Sequence, residues 1–291
     1  MKLSFLLDEL GKLEECTIYH EKEFQVFARI TTCLKETRCI FLTDKKYISL
    51  IPEGTTMVIT TEAFKDLFLE RKEGVCICKN PKALYFTLLN YIANKKGDVF
   101  KTIIGENCSI SEQAYIAPFN VIIGDGVKIE EFTSVYEGTK IGNDCVIHSG
   151  AKIGIQDYNY FKQENQIQHV AHQGKTILGN NVEVGFNSVI GRALYDYSQT
   201  YIGDSCKIGC NTSVGHDDRI GNNVMICANV VIGGHAVIKD NVEISIGVSI
   251  KNGVFVGENV HIDMGSVVVR DVESNIKVFG NPARKIISPG K

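Results

Sequence analysis

From residue 104 onward an aliphatic side chain returns at every sixth position. The series runs Ile104, Ile110, Ile116 and, after a slip of one, Ile123, Ile129, Val135, Ile141, Ile147 and Ile153. It resumes at Leu178, Val184 and Ile190, skips Asp196, and continues from Ile202 to Val268. Of 25 six-spaced slots, 24 hold Ile, Val or Leu. A period of six fits neither an α-helix at 3.6 residues per turn nor an alternating strand closed by a hairpin. It fits a coil of short strands and tight corners, with one aliphatic side chain pointing inward on each side. Three hexapeptides per coil build a triangular prism with a core of stacked Ile and Val. Glycine follows many of the slots (Gly105, Gly124, Gly142, Gly154, Gly203, Gly221, Gly233) and is expected to relieve unusual backbone angles at the corners.

The period divides the chain into a front domain at 1–100, a mostly β domain at 101–272 and a tail at 273–291. It breaks twice, at 154–177, rich in aromatic and polar residues, and at 191–200 around the skipped slot. Loops leaving a rigid scaffold are natural places for substrate contacts. The front domain reads as mixed α/β: helices near 2–10, 62–71 and 81–95, strands near 38–43, 56–60 and 74–79.

Apolar residues make up 44% of the chain and charged residues 22%, as in an ordinary globular protein. A net charge of -3 supplies no global field for nucleic acid or a membrane surface. No apolar run is long enough to span a bilayer, and Asp8 and Glu9 cut off the Leu3–Leu10 stretch before it becomes a secretory signal. The ten cysteines are scattered, with no C-x-x-C and no Cys/His array at zinc spacing. They are expected to be reduced and structural, in a cytoplasmic protein without a bound metal.

The six-residue pattern resembles the hexapeptide-repeat acyltransferases, and that resemblance implies a left-handed parallel β-helix assembled as a homotrimer. In the front domain, CIFLTDKKYISLIPEGTTMVIT followed by VCICKNPKALYFTLLNYI is similar to the family of UDP-3-O-(3-hydroxyacyl)glucosamine N-acyltransferases. In that family two aromatics six residues apart sandwich the uracil ring, and Phe41 and Tyr47 hold those places. Without the resemblance they read as ordinary core rings. Asn80 and Pro81 match the family's Asn-Pro, a pair that also starts any helix.

Amide formation from a thioester needs an amine, a group to take its proton, and donors for the oxyanion. Histidine suits the proton transfer. His216, in SVGHDDRIG, follows the inward slot Val214 by two residues and matches the catalytic histidine's context in the family, so it is expected to be the base. Asp217 or Asp218 is expected to orient the ring. The resemblance also implies substrate contacts from His148 (in HSGAKIG), Tyr158, Tyr160, His172 and Arg192. Gly233 and His235 would line the acyl-donor groove, and a backbone N–H near Gly215 or Gly233 would hold the oxyanion.

Two departures from the lipid A family stand out. Its second histidine, 37 residues after the base, is replaced by Gly253. Its helical extension that meets acyl carrier protein is absent, and the sequence ends in FGNPARKI…, which resembles the tail of coenzyme A-dependent sugar acetyltransferases. Arg284 and Lys285 there would meet coenzyme A phosphates. The expected activity is N-acylation of a UDP- or dTDP-linked amino sugar, with acyl-CoA as co-substrate and no permanently bound cofactor. The alternatives are the lipid A step itself with acyl carrier protein (acyl-ACP), and a non-catalytic scaffold. A γ-type carbonic anhydrase requires a histidine pair about five residues apart, which the chain lacks.

Overall fold

The computed structural model describes residues 1–32, 34–93, 95, 99–163 and 165–286. The chain forms two compact units, 1–96 with 158–171, and 97–157 with 172–291.

The front unit is a sheet with helices. Its elements are α1 (Leu3–Glu9), β1 (Thr17–Tyr19), β2 (Val26–Phe27), β3 (Arg38–Phe41), β4 (Thr55–Thr60), α2 (Lys65–Leu69), β5 (Gly74–Ile77) and α3 (Pro81–Ala93). The strand order is β1-β5-β4-β3-β2, with β1 antiparallel to β5 and the other pairs parallel. The three helices and three longer strands lie where hydrophobic patterning put them. β1 and β2 are too short to leave a period, and the reading missed them. The break at 154–177 yields an antiparallel hairpin, Tyr160–Gln163 with Gln166–His169. Although inserted in the repeat sequence, the hairpin belongs to the front unit. Phe161 packs 5.7 Å from Phe86, and the Asn90 side chain donates to the His169 carbonyl at 2.7 Å.

The second unit is a parallel β-helix. Its three faces hold eight, ten and eight strands among the described residues, each paired parallel with the equivalent strand one coil away except the last, Arg284–Lys285, which is antiparallel to Lys277–Phe279. Pairs such as Ile129↔Ile147 and Ile226↔Ile244 lie eighteen residues apart, three hexapeptides per turn. The slots are the core: Ile147, Val184, Ile190, Ile202 and Ile262 are completely buried. The end coil is the exception. Ile104 remains 48% exposed because its slot has a coil on one side only. Residues 273–286, read as a tail, continue the prism: Lys277–Phe279 pairs parallel with His261–Ile262, and Val278 enters the core. Residues 287–291 lie outside the described part.

The corners correct the reading of the glycines. Of the seven post-slot glycines only Gly154 has a positive φ, +78°. The left-handed corner positions fall mainly on Asn and Asp, including Asn181, Asn223, Asn241, Asn259 and Asn275, whose short polar side chains tolerate αL. Four of these form a ladder up one edge: Asn223 donates to Asn241 at 2.9 Å, Asn241 to Asn259 at 3.1 Å, Asn259 to Asn275 at 2.8 Å. The post-slot glycines serve close stacking instead. A Cβ on Gly203 would lie 2.5 Å from the Gly221 carbonyl oxygen, and one on Gly233 would lie 2.7 Å from the Asn252 nitrogen.

Candidate active site

His216 sits at the corner after the Ser213–Val214 strand, where the chain turns from one face of the prism to the next. The corner is pinned from three sides. The His216 N–H donates to Asp157 at 2.7 Å, its carbonyl accepts the His235 N–H at 2.8 Å, and the Asp217 N–H donates to Thr200 Oγ1 at 2.8 Å. Asp217 adopts φ +60°, and that turn brings its carboxylate back onto the preceding ring. Asp217 Oδ2 lies 2.9 Å from His216 Nδ1 and also accepts the Leu194 N–H at 2.9 Å. With Nδ1–H donating to the carboxylate, Nε2 is left with its lone pair, the arrangement a general base needs.

The electrostatics separate the two adjacent acids. Burial raises the Asp217 carboxyl, but hydrogen bonds from His216, Ser198 and Leu194 and the nearby His235 outweigh it and bring it down to about 2. Asp218 is completely buried and goes the other way: burial pushes it well above the ordinary carboxyl range, and the charges of Asp157 and Asp217 add to the shift. It accepts the N–H of Gly215 at 2.9 Å and of Ala236 at 2.7 Å, tying neighbouring coils together. Of the two acids left open by the sequence, Asp217 orients the ring and Asp218 braces the wall.

Three further expected residues gather here. The His235 and His172 rings stand edge-on to His216, with centroids 4.8 and 5.3 Å away. Arg192 is buried one coil below, with Glu137 3.6 Å and the His172 carbonyl 3.5 Å from its Nη1 and no partner for its Nε. A guanidinium so loosely paired retains donors for an anionic group. Gly234 faces the His216 ring, and a Cβ there would lie 2.8 Å from Nε2 and 2.9 Å from Cδ2. Both expected oxyanion donors are spent on the fold: the Gly215 N–H also reaches the Ile232 carbonyl at 3.0 Å, and the Gly233 N–H bonds that of Ile250 at 2.9 Å.

His148 lies elsewhere, facing the Glu130 and Glu183 side chains at 3.1 and 2.9 Å and stacked 4.7 Å from Phe186. In the front unit Phe41 packs against Tyr85 and Phe86 at 5.0 and 5.8 Å, while Tyr47 is exposed beneath Lys46. Tyr158 and Tyr160 pair at 4.6 Å and are both exposed. Arg284 and Lys285 are exposed on the last strand. Sequence reasoning missed Asp157, Thr200 and Gly234. Asp157 reaches the site from the loop after the Lys152–Ile155 strand and Thr200 from the Gln199–Ile202 strand, and nothing in the sequence singled out Gly234. Among the described residues one group, His216, Asp217 and His235, brings ligand atoms within 4.8 Å of one another as a metal site would. Two of those atoms are already hydrogen-bonded to each other.

Residues 120–154 and 199–234 match the family described as bacterial transferase hexapeptide (six repeats). A UDP-3-O-acylglucosamine N-acyltransferase of Coxiella burnetii is 28% identical over 213 residues, covering 62% of this chain and 59% of that protein. One of Polynucleobacter asymbioticus is 26% identical over 175 residues, 48% of each chain. The chain thus spans about half to three-fifths of the length of these relatives. A UDP-N-acetylglucosamine acyltransferase from Bacteroides fragilis superposes with a TM-score of 0.58 at 27% identity, covering 64% of this chain and 70% of that one. The second unit therefore has the left-handed β-helix fold, and the chain, with its α/β front unit, is similar to acyltransferases that act on UDP-sugars.

Proposed function

We propose that the protein transfers an acyl group from a thioester, with acyl-CoA favoured, to the amine of a UDP- or dTDP-linked amino sugar. The observation that carries this reading is the His216–Asp217 pair at a prism corner, with an ionised carboxylate on Nδ1 and a glycine, Gly234, beside Nε2. The amine attacks the thioester carbonyl as Nε2 takes its proton, and the thiol departs when the tetrahedral intermediate collapses. Gly234, next to the base and outside the ladder of Gly215 and Gly233, offers the N–H assigned to the oxyanion. Arg192 and His172 bind the sugar nucleotide, and Phe41 and Tyr47 grip a planar pyrimidine by their π faces. Exposed Arg284 and Lys285 meet the donor's phosphates. This reading takes the working form to be a cytoplasmic homotrimer.

A second reading, the lipid A step with a 3-hydroxyacyl group on acyl carrier protein, is supported by the relatives' names. Gly253 in place of that family's second histidine weighs against it. Thiol release, measured with acetyl-CoA and with 3-hydroxyacyl carrier protein against UDP- and dTDP-amino sugars, separates the two. Release from CoA donors that falls at least ~100-fold in His216→Ala is expected. Release from the carrier protein alone selects the second reading, and no release from any donor makes the protein a scaffold.

A further inference from the structure

Some of the described cysteines are inert by placement. Cys145 and Cys206 are fully buried under carbonyl oxygens at the prism corners, and burial raises both thiols, Cys206 to about 11. One group in the front unit differs. The antiparallel register Thr17↔Ile77 and Ile18↔Cys76 puts Cys16 opposite Cys78, one rung past the end of the β1–β5 ladder, and diagonal to Cys76. Cys76 and Cys78 are the neighbours that bear most on the Cys16 thiol. Cys16 and Cys78 are half-buried, whereas Cys76 is completely buried. A cavity of about 420 Å³, lined by Glu15, Thr17, Thr61, Lys79 and Cys78, opens beside this pair.

We propose that Cys16 and Cys78 form a reversible dithiol site, oxidised to an intramolecular disulfide by a low-molecular-weight disulfide of the glutathione class. Two features of the geometry carry it. Directly opposed residues of an antiparallel pair have Cα atoms about 4.5–5.5 Å apart, inside the range of about 4.4–6.8 Å that a disulfide spans. The second feature is polarisation. Two thiol donors, with Lys12 nearby, hold Cys16 down to about 4, against the burial that raises it. Cys76 and Cys78 are pushed up as they donate. One thiolate flanked by protonated thiols is the division of labour that thiol exchange uses.

The Cys16 thiolate attacks one sulfur of the reagent, and one thiolate of the reagent leaves. Cys78 then gives up its proton and attacks the Cys16 sulfur, releasing the second thiolate. One reagent disulfide becomes two thiols, and two cysteine S–H groups become one S–S bond. The product joins β1 to β5, and excess thiol reverses it.

The test is oxidised glutathione on the folded, full-length protein, followed by peptide mapping under non-reducing conditions. The expected product is the Cys16–Cys78 link. Cys78→Ser is expected to stop at a Cys16–glutathione adduct, and Cys16→Ser to form neither. A readout independent of variants is competitive alkylation of the wild type at pH 6, where Cys16 is expected to react at least ~10-fold faster than the half-buried Cys210 and Cys227. That preference is expected to vanish in denaturant. Equal rates in the folded protein, a wild type that halts at the adduct, or a link to any other cysteine overturns the proposal.

Discussion

Substituting Gly234 tests the site where the base and the fold touch. Gly234 is not at a positive φ, so alanine meets no backbone penalty there. The obstacle is space: the new Cβ would stand 2.8 Å from His216 Nε2, 2.8 Å from its carbonyl oxygen and 2.9 Å from Cδ2. Ordinary contact is about 3.5 Å or more, so the ring and corner must give way by roughly 0.5–1 Å. Misplacing a catalytic group by about 1 Å costs on the order of 100-fold in rate, about 2.7 kcal/mol of barrier. Gly234→Ala is therefore expected to lower kcat by about 10- to 100-fold in the thiol-release assay, with about 1–3 kcal/mol of stability lost to overpacking. The control is Gly253→Ala, one coil above. Its Cβ would meet nothing within 4 Å, but its φ is +74°, so it is expected to lose about 1–2 kcal/mol of stability and keep its turnover. A folded Gly234→Ala protein with wild-type kcat, or a Gly253→Ala protein impaired equally, would refute the placement of the base.

Other consequences concern stability. Asp218→Ala removes the acceptor of the Ala236 N–H and one of two acceptors of the Gly215 N–H. It is expected to cost about 1–3 kcal/mol, read as a lower urea midpoint at unchanged m-value; an unchanged midpoint would mean that Asp218 does not brace the coils. His148 is raised in the folded protein: burial works against the shift, and the Glu183 and Glu130 hydrogen bonds and charges outweigh it. Its stabilisation is complete below the unfolded value of about 6.5 and is lost as pH rises through the raised folded value. Because the partners are partly exposed, with Glu183 at 44%, the effect is expected to stay below about 1 kcal/mol. His148→Gln should lower the Tm at pH 6 and barely change it at pH 9. Equal losses at both would assign His148 a packing role alone.

Much of the fold was legible because the β-helix is quasi-one-dimensional. Each coil meets only its neighbours, so a slot such as Ile226 sees the same surroundings as Ile208 and Ile244, and the requirement repeats in sequence as it does in space. The same register sends residues two past a slot, His216 among them, out to a corner, and the family resemblance singled out His216 as the expected base. The period said nothing about what a given corner does. Whether Asp217 or Asp218 meets the ring depends on one φ of +60°, which points Asp217 back at His216 and leaves Asp218 under the wall.

The partners Asp157 and Thr200 lie 59 and 17 residues from the atoms they bind, one in a loop and the other in a strand. The hairpin at 160–169 lies between two hexapeptides yet belongs to the front unit, an assignment made by side-chain contacts such as Phe86 with Phe161. By itself the sequence determined the repeat and its core, because these recur with the period of the backbone. Only the tertiary structure decided which acid serves the base, which glycine makes room for it and which thiols meet. Those depend on contacts between residues whose separation in sequence follows no period.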